Sequence, residues 1–241
     1  MPHIDLLDAL PKTRRNVAAP RSASAENRAA ARRYGQEYFD GNREQGYGGY
    51  RYDGRWQPVA RRIAAHYGLR AGDRVLDVGC AKGFLARDLA AAVPGLVVIG
   101  LDISEYALRN GHTDMQGRLV CGGADRLPFA DGSFACVLAI NVLHNLERAA
   151  CQQGLHELAR VVSRPQHIYV QVDAYRDETE RTLFENWVLT ALTYGTPDFW
   201  LALFAETGYQ GDYNWTIIEA DPAWTELPAK LAAGTGTTKG D

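Results

Sequence analysis

Arg74-Val-Leu-Asp-Val-Gly-Cys-Ala-Lys-Gly83, followed by Val97-Val-Ile-Gly-Leu-Asp102, decides how this chain is read. A β-branched and leucine run enters a glycine loop. A helix pattern with Leu85, Leu89 and Val93 on one face follows, Pro94-Gly95 stops it, and a second apolar run ends in an acid. That is a βαβ unit of the nucleotide-binding kind, with Asp102 lying 23 residues beyond Gly79 at the carboxyl end of the second strand. The loop lacks the G-x-G-x-x-G spacing that offers backbone amides to a pyrophosphate, and Asp77 in front of it would repel a phosphate group.

The pattern continues outward from this unit. Pro58, Val59, Ile63, Tyr67 and Gly68 predict a helix that packs on the sheet. Leu119 to Cys121, Phe134 to Ile140 and His167 to Val172 read as further strands, and 96 to 101 as a strand buried on both faces. A helix over about 148 to 163 should bury Cys151, Leu155, Leu158 and Val162 and leave Gln152, Glu157 and Arg160 to solvent. Thr196 to Gly208 has a cap, a first-turn proline and a closing glycine, and two last strands are expected near 209 to 213 and 215 to 220.

In the Asp77 loop, Asp102 and the segment Asp125-Arg-Leu-Pro-Phe-Ala-Asp-Gly-Ser-Phe134, the chain resembles the class I S-adenosylmethionine-dependent methyltransferases. Those enzymes carry an acid two residues before the first loop glycine, where Asp77 stands. S-adenosylmethionine has no phosphate and carries an ammonium and a sulfonium, so a carboxylate beside the loop suits it. The resemblance spans roughly residues 55 to 220 and departs at Ala81, where many relatives have glycine; the loop is expected to survive the change.

It implies an α/β Rossmann-like, doubly wound sheet of seven mostly parallel strands with an antiparallel last strand, to which this chain adds an N-terminal helical and loop extension and a helical insertion after strand five. It also implies S-adenosyl-L-methionine as cofactor, S-adenosyl-L-homocysteine as product, and no metal. The cofactor site would be drawn from Asp77, Gly79, Cys80, Ala81, Gly83, Asp102, Ile103, Ala124, Asp125, Arg126 and Asn141. Asp102 would hold the two ribose hydroxyls, the alternative being that it caps the helix begun at Ser104, itself the better N-cap. Asp125 would accept from the adenine amino group.

Methyl transfer needs alignment more than proton transfer, and a base only for some acceptors. His144, Asp173 and Tyr175 are the catalytic candidates, although for His144 the reading as a residue that only orients its loop stands ahead. Acceptor contacts are expected from Tyr47, Tyr50, Arg51, Arg176, Trp187 and Tyr194, with Arg51, Arg55 or Arg176 as anchors if the acceptor is a carboxylate. Gly46 to Trp56 holds four glycines and four aromatics in 11 residues, a loop that either lies over a flat ligand or plugs the core.

Residues 1–50 divide off as an arm with this aromatic loop, 51–228 as the cofactor domain, and 229–241 as a disordered tail. Within the domain, 177–195 is a lid candidate, or else a dimer contact or added core. The stretch to about residue 33 reads as a mobile arm passing into a solvated helix, or as one that docks on a partner subunit or covers the site. With 241 residues, 46% of them hydrophobic, one sizeable core is expected, and a formal charge of −3 gives no whole-chain attraction to nucleic acid. Cys80, Cys121, Cys136 and Cys151 form no C-x-x-C pair and read as reduced core thiols. No signal-like or membrane-spanning run is present, so a cytoplasmic monomer or homodimer acting on a small molecule at O or N is the expectation. An RNA or protein methyltransferase and a non-catalytic binding protein are the alternatives.

Overall fold

Residues 1–11 and 24–219 are described in the computed structural model of the chain. Ahead of the sheet come three helices, α1 (Ala25–Ala31), α2 (Gln36–Asp40) and α3 (Gln57–His66). Strands and helices then alternate: β1 (Arg74–Val78), α4 (Phe84–Ala92), β2 (Val97–Asp102), α5 (Glu105–Arg109), β3 (Leu119–Cys121), β4 (Cys136–Ile140), α6 (Arg148–Val161) and β5 (Ile168–Ala174). Last come α7 (Glu178–Trp187), α8 (Pro197–Glu206) and β6 (Asp212–Ile217).

The strands lie in the order β3-β2-β1-β4-β5-β6, and every neighbouring pair is parallel. The order reverses between β1 and β4, so a crevice opens at the carboxyl ends of those strands, where open α/β sheets bind ligands. Alternate residues face opposite layers. Leu76, Val78, Val137, Val170 and Val172 pack with Leu155, Leu158, Trp200 and Phe204 of α6 and α8. Val75, Val98 and Leu138 pack with Ile63, Leu85 and Leu89 of α3 and α4. Trp200 is fully buried and its indole N–H donates to Asp173 O at 2.9 Å. Among the described residues no helix is long and apolar enough to cross a membrane.

Seven strands with an antiparallel last one are not what the described residues form. They form six, and β6 runs parallel to β5 in the register Tyr169↔Asp212 through Ala174↔Ile217. The expected hairpin fails because Gly208, at φ 64°, ends α8 and the next residues are pinned against β5. The Tyr209 hydroxyl donates to Asp212 O at 2.6 Å and to Ile168 O at 3.3 Å. Gly211 passes so near β5 that a Cβ there would fall 2.4 Å from Ile168 O. The chain is thus delivered alongside β5 in the same direction; the end of the predicted last strand, at residue 220, lies outside the described residues.

The free edge of β6 is covered by the start of the chain, as exposed edges generally are. Ile4 N donates to Tyr213 O at 2.9 Å and Tyr213 N to Pro2 O at 3.1 Å. His3 stacks on Tyr213 and Trp215, with centroids 5.4 and 5.3 Å away. Leu6 and Leu7 enter the core. The first ten residues are therefore a docked strap rather than a mobile arm, while Arg14 and Arg15 and the predicted tail at 229–241 lie outside the described residues. Leu6→Ala is expected to cost about 2–5 kcal/mol, read as a lowered urea midpoint. A midpoint unchanged from the parent would mean the strap carries no stability.

All four cysteines are free thiols; Cys80, Cys136 and Cys151 are buried, and Cys121 is exposed at the end of β3. The insertion after β5 is helical only to Trp187, and Phe184 packs with Ala191 and Ile218, joined by Tyr175, Trp187, Val188 and Tyr194.

Candidate functional site

The glycine loop between β1 and α4 is bent by three left-handed residues, Gly79 (φ 73°), Ala81 (φ 51°) and Gly83 (φ 74°). Gly79 N and Cys80 N both donate to Leu101 O, at 2.7 and 3.1 Å. A Cβ on Gly79 would lie 2.7 Å from the Val142 side chain, so glycine is required there by space as well as by φ. Ala81 adopts the conformation usually left to glycine, and its N–H is held by Asp102 Oδ2 at 2.7 Å.

Asp102 organises this corner. Its second oxygen accepts from Ser104 N at 2.8 Å, and only 8% of the residue is exposed. Ser104, not Asp102, caps α5: its Oγ accepts from Ala107 N at 3.0 Å. The same hydroxyl donates to Tyr34 O at 2.5 Å. Burial raises the Asp102 carboxyl above its ordinary range, although backbone N–H groups oppose the shift. Asp77, 3% exposed, is pushed up to about 7, first by burial and then by the charge of Asp102.

A cavity of about 120 Å³ opens over these residues. Gly79, Ala81, Leu101 and Asp102 form its floor. Ile103 and the turn Gly122 to Asp125 form one side, and Asn141, Val142, Asn145 and Leu146 the other. Tyr34, Tyr38, Phe39 and Tyr47 close it from the N-terminal segment. No lysine or arginine is among the residues lining it. Burial pushes the Tyr34 phenol up to about 12 and the Tyr38 phenol well above its ordinary value, so both stay protonated.

Two features fit a ligand with a flat apolar part and hydrogen-bond donors. Ile103 is 60% exposed and Tyr47 44% exposed, two pieces of large apolar surface at the same cavity. Asn145 donates from Nδ2 to Asn141 O at 3.1 Å, but its Oδ1 is buried with no partner among the described residues. An orphaned buried acceptor calls for a donor from elsewhere. Carboxylates without a neighbouring cation suit a cationic ligand with hydroxyl groups and disfavour a phosphate, as S-adenosylmethionine requires.

The turn carrying Asp125 is held from below by α6. Glu157, expected in solvent, is instead buried: it accepts from Leu127 N at 2.7 Å and pairs with Arg160 at 2.7 Å. Arg160 also donates to Phe129 O at 2.8 Å and Leu127 O at 3.0 Å. The hydrogen bond from Arg160 holds the Glu157 carboxyl below its ordinary value.

The structure therefore brings Gly79, Ala81, Asp102, Ile103, Ala124, Asp125, Asn141 and Tyr47 together at one cavity. Other expected site residues lie apart from its lining. Asp77 is behind the loop, Gly83 starts α4, Arg126 is exposed, and the Cys80 thiol faces Gly100, whose added Cβ would come 2.6 Å from it. Tyr50 stacks on Phe84 at 4.9 Å. His144 is buried: Nδ1 accepts from Asp173 N at 3.0 Å and Nε2 lies 3.6 Å from Asp173 Oδ2. Its main-chain oxygen takes Leu192 N and Thr193 N. Burial lowers its pKa, and with both ring nitrogens turned to Asp173 this geometry favours the loop-orienting reading.

The acceptor-side residues are also tied elsewhere. Arg176 is exposed and bonded to Glu180 and Glu219, Arg55 is paired with Asp53, and Arg51 is exposed. Tyr175, Trp187 and Tyr194 belong to the Phe184 cluster. Tyr34, Tyr38 and Phe39 were not expected at the cavity; a helix as short as α2 shows no periodicity, and its aromatics had no motif around them.

Comparison with known proteins gives the same architecture. Residues 75–165 match the methyltransferase-domain family. An uncharacterized methyltransferase of Synechocystis sp. is 31% identical over 156 residues, covering 64% of this chain and 64% of that protein. The 27-O-demethylrifamycin SV methyltransferase of Amycolatopsis mediterranei is 38% identical over 92 residues, 35% of this chain and 34% of that enzyme. The chain thus spans less than two thirds of the length of either relative. The methyltransferase solved in complex with the Haloferax volcanii Trm112 methyltransferase activator superposes with a TM-score of 0.52 at 23% identity, covering 64% of this chain and 67% of that one.

Proposed function

We propose that this chain, whose residues 75–165 match the methyltransferase-domain family, is a class I S-adenosylmethionine-dependent methyltransferase that transfers a methyl group from S-adenosylmethionine to an oxygen or nitrogen of a small molecule. The observation that carries this reading is the cavity at the switch point, with Asp102 on its floor and no lysine or arginine among its described lining residues. When bound, S-adenosylmethionine supplies a methyl group already activated by its sulfonium.

The protein's share is placement. Asp102 would hold the ribose hydroxyls with the lone pairs left over from Ala81 N and Ser104 N. Ile103 and Ala124 would border the adenine, and Asp125 would accept from its amino group. Asp77 favours the cationic end by its charge. His144 is a positioning residue that holds the start of the Asp173 to Arg176 segment against the 190s loop. Tyr38, Phe39 and Tyr47 exclude water from the line of transfer.

A small, uncharged or cationic acceptor follows from the same walls, since no lysine or arginine lines them to anchor a carboxylate or phosphate. The test is turnover of methyl-labelled S-adenosylmethionine against a metabolite extract. Label is expected in a low-molecular-weight product; label transferred only to protein or RNA, or to nothing, contradicts the proposal.

A further inference from the structure

Four cavity residues, Tyr34, Tyr38, Phe39 and Tyr47, come from the chain ahead of the sheet. Their segment is knit to itself. Tyr47 N donates to Tyr38 O at 2.8 Å and Gly49 N to Phe39 O at 3.1 Å. Gly46 runs so close to α2 that an added Cβ would fall 1.9 Å from Tyr38 O. Beyond it, Gly48 and Gly49 turn the chain at φ 72° and 107°. This is a compact flap made of α2 and its return turn.

One buried cation ties the flap to the glycine loop. Lys82, 7% exposed, follows Ala81, and its Nζ donates to Asp40 Oδ1 at 2.8 Å, to Asp40 Oδ2 at 2.7 Å and to Tyr50 O at 2.9 Å. All three ammonium N–H groups are thereby used, which is what offsets burying the charge. Asp40 sits in the flap and accepts as well from the Tyr106 hydroxyl at 2.8 Å and from Tyr50 N at 3.1 Å. The cavity under the flap, about 120 Å³, is smaller than the roughly 300 Å³ at which pockets for ligands of cofactor size begin. A ligand of that size enters only if the flap moves.

We infer that the Lys82–Asp40 pair is a positioning latch, through which the glycine loop holds the aromatic flap closed and sets the rate at which bound cofactor or its demethylated product leaves. The inference rests on the reading that this crevice binds S-adenosylmethionine. Lys82 touches the flap rather than the ligand, so its effect falls on exchange of the ligand and not on the methyl-transfer step.

The test uses the full chain with Lys82→Met, Asp40→Asn and the double variant. Release of S-adenosylhomocysteine, followed by stopped-flow displacement, is expected to be at least about 10-fold faster in each single variant. The double variant should be no faster than the faster single, because the two changes break one interaction. Saturating the parent with S-adenosylhomocysteine should slow amide exchange in residues 34–50, a readout that holds even if a variant fails to fold. Parental release rates in both single variants, or unchanged exchange at 34–50 in the saturated parent, overturn the latch while leaving the cofactor site intact. A parent that binds no S-adenosylhomocysteine overturns the latch and the proposed function together.

Discussion

Asp102→Ala is expected to weaken S-adenosylmethionine binding by at least about 100-fold, measured by titration calorimetry. The carboxylate is oriented before any ligand arrives, because Ala81 N and Ser104 N each hold one oxygen, at 2.7 and 2.8 Å. Hydrogen bonds to a charged group contribute about 1.5–3 kcal/mol each, and 1.4 kcal/mol is tenfold in affinity. Two ribose hydroxyls on one carboxylate therefore account for about two decades or more. Asp102→Asn separates ligand contact from loop support, since its amide oxygen can still accept from Ala81 N. Its affinity is expected to fall between parent and alanine variant, with a melting temperature near the parent's. Parental affinity in Asp102→Ala would remove Asp102 from the site.

Asp77→Asn is expected to do two opposite things. The Asp77 carboxyl is pushed up to about 7 in the folded chain, by burial first and Asp102 second, against an ordinary value of 3.8. Between about pH 4 and pH 7 the folded state therefore holds a proton that the unfolded state has released, and stability falls as pH rises through that window. The rise from 3.8 to about 7, at 1.36 kcal/mol for each pH unit, means that ionising Asp77 costs about 4 kcal/mol at pH 8.

The asparagine variant, free of ligand, should melt higher than the parent at pH 8, by about 2–4 °C per kcal/mol, with the gap closing toward pH 4. A cationic ligand favours the ionised carboxylate, so parental affinity for S-adenosylmethionine should rise with pH up to about 7. The variant should lose that dependence and about tenfold or more in affinity. A variant less stable than the parent at pH 8, or one binding the cofactor as tightly, would contradict the role assigned to Asp77.

The central unit was legible because its signals are local. β1 and β2 are short apolar runs, the Gly79 loop lies between them, and Asp102 must then emerge at the carboxyl edge whatever surrounds it. Ala81 shows how far such reading reaches: the loop was expected to tolerate it, and it takes the left-handed conformation with its N–H held by Asp102. The segment after β3 was readable in the same way, from Asp125 to Phe134.

What escaped depends on distant pairing. The direction of β6 is set by Tyr209 and Gly211 against Ile168, partners some 40 residues away that no run of alternating residues announces. Glu157 looked like a solvent residue by helical position, and it is buried because Leu127 N and Arg160 meet it there. Lys82 read as one more loop residue until Asp40 came beside it, and with Asp40 came the aromatics that roof the cavity. The acceptor residues were bet on by proximity in sequence to strand ends, and Arg176 and Trp187 turn instead toward the insertion's own contacts.

The most direct test is a structure determined with S-adenosylhomocysteine. It should show the ribose hydroxyls on the Asp102 carboxylate, the adenine between Ile103 and the Gly123 to Asp125 turn, and the sulfur facing the Asn141 to Asn145 side under Tyr38 and Tyr47. Ligand bound away from Asp102, or a saturated crystal with none in this crevice, would contradict the account.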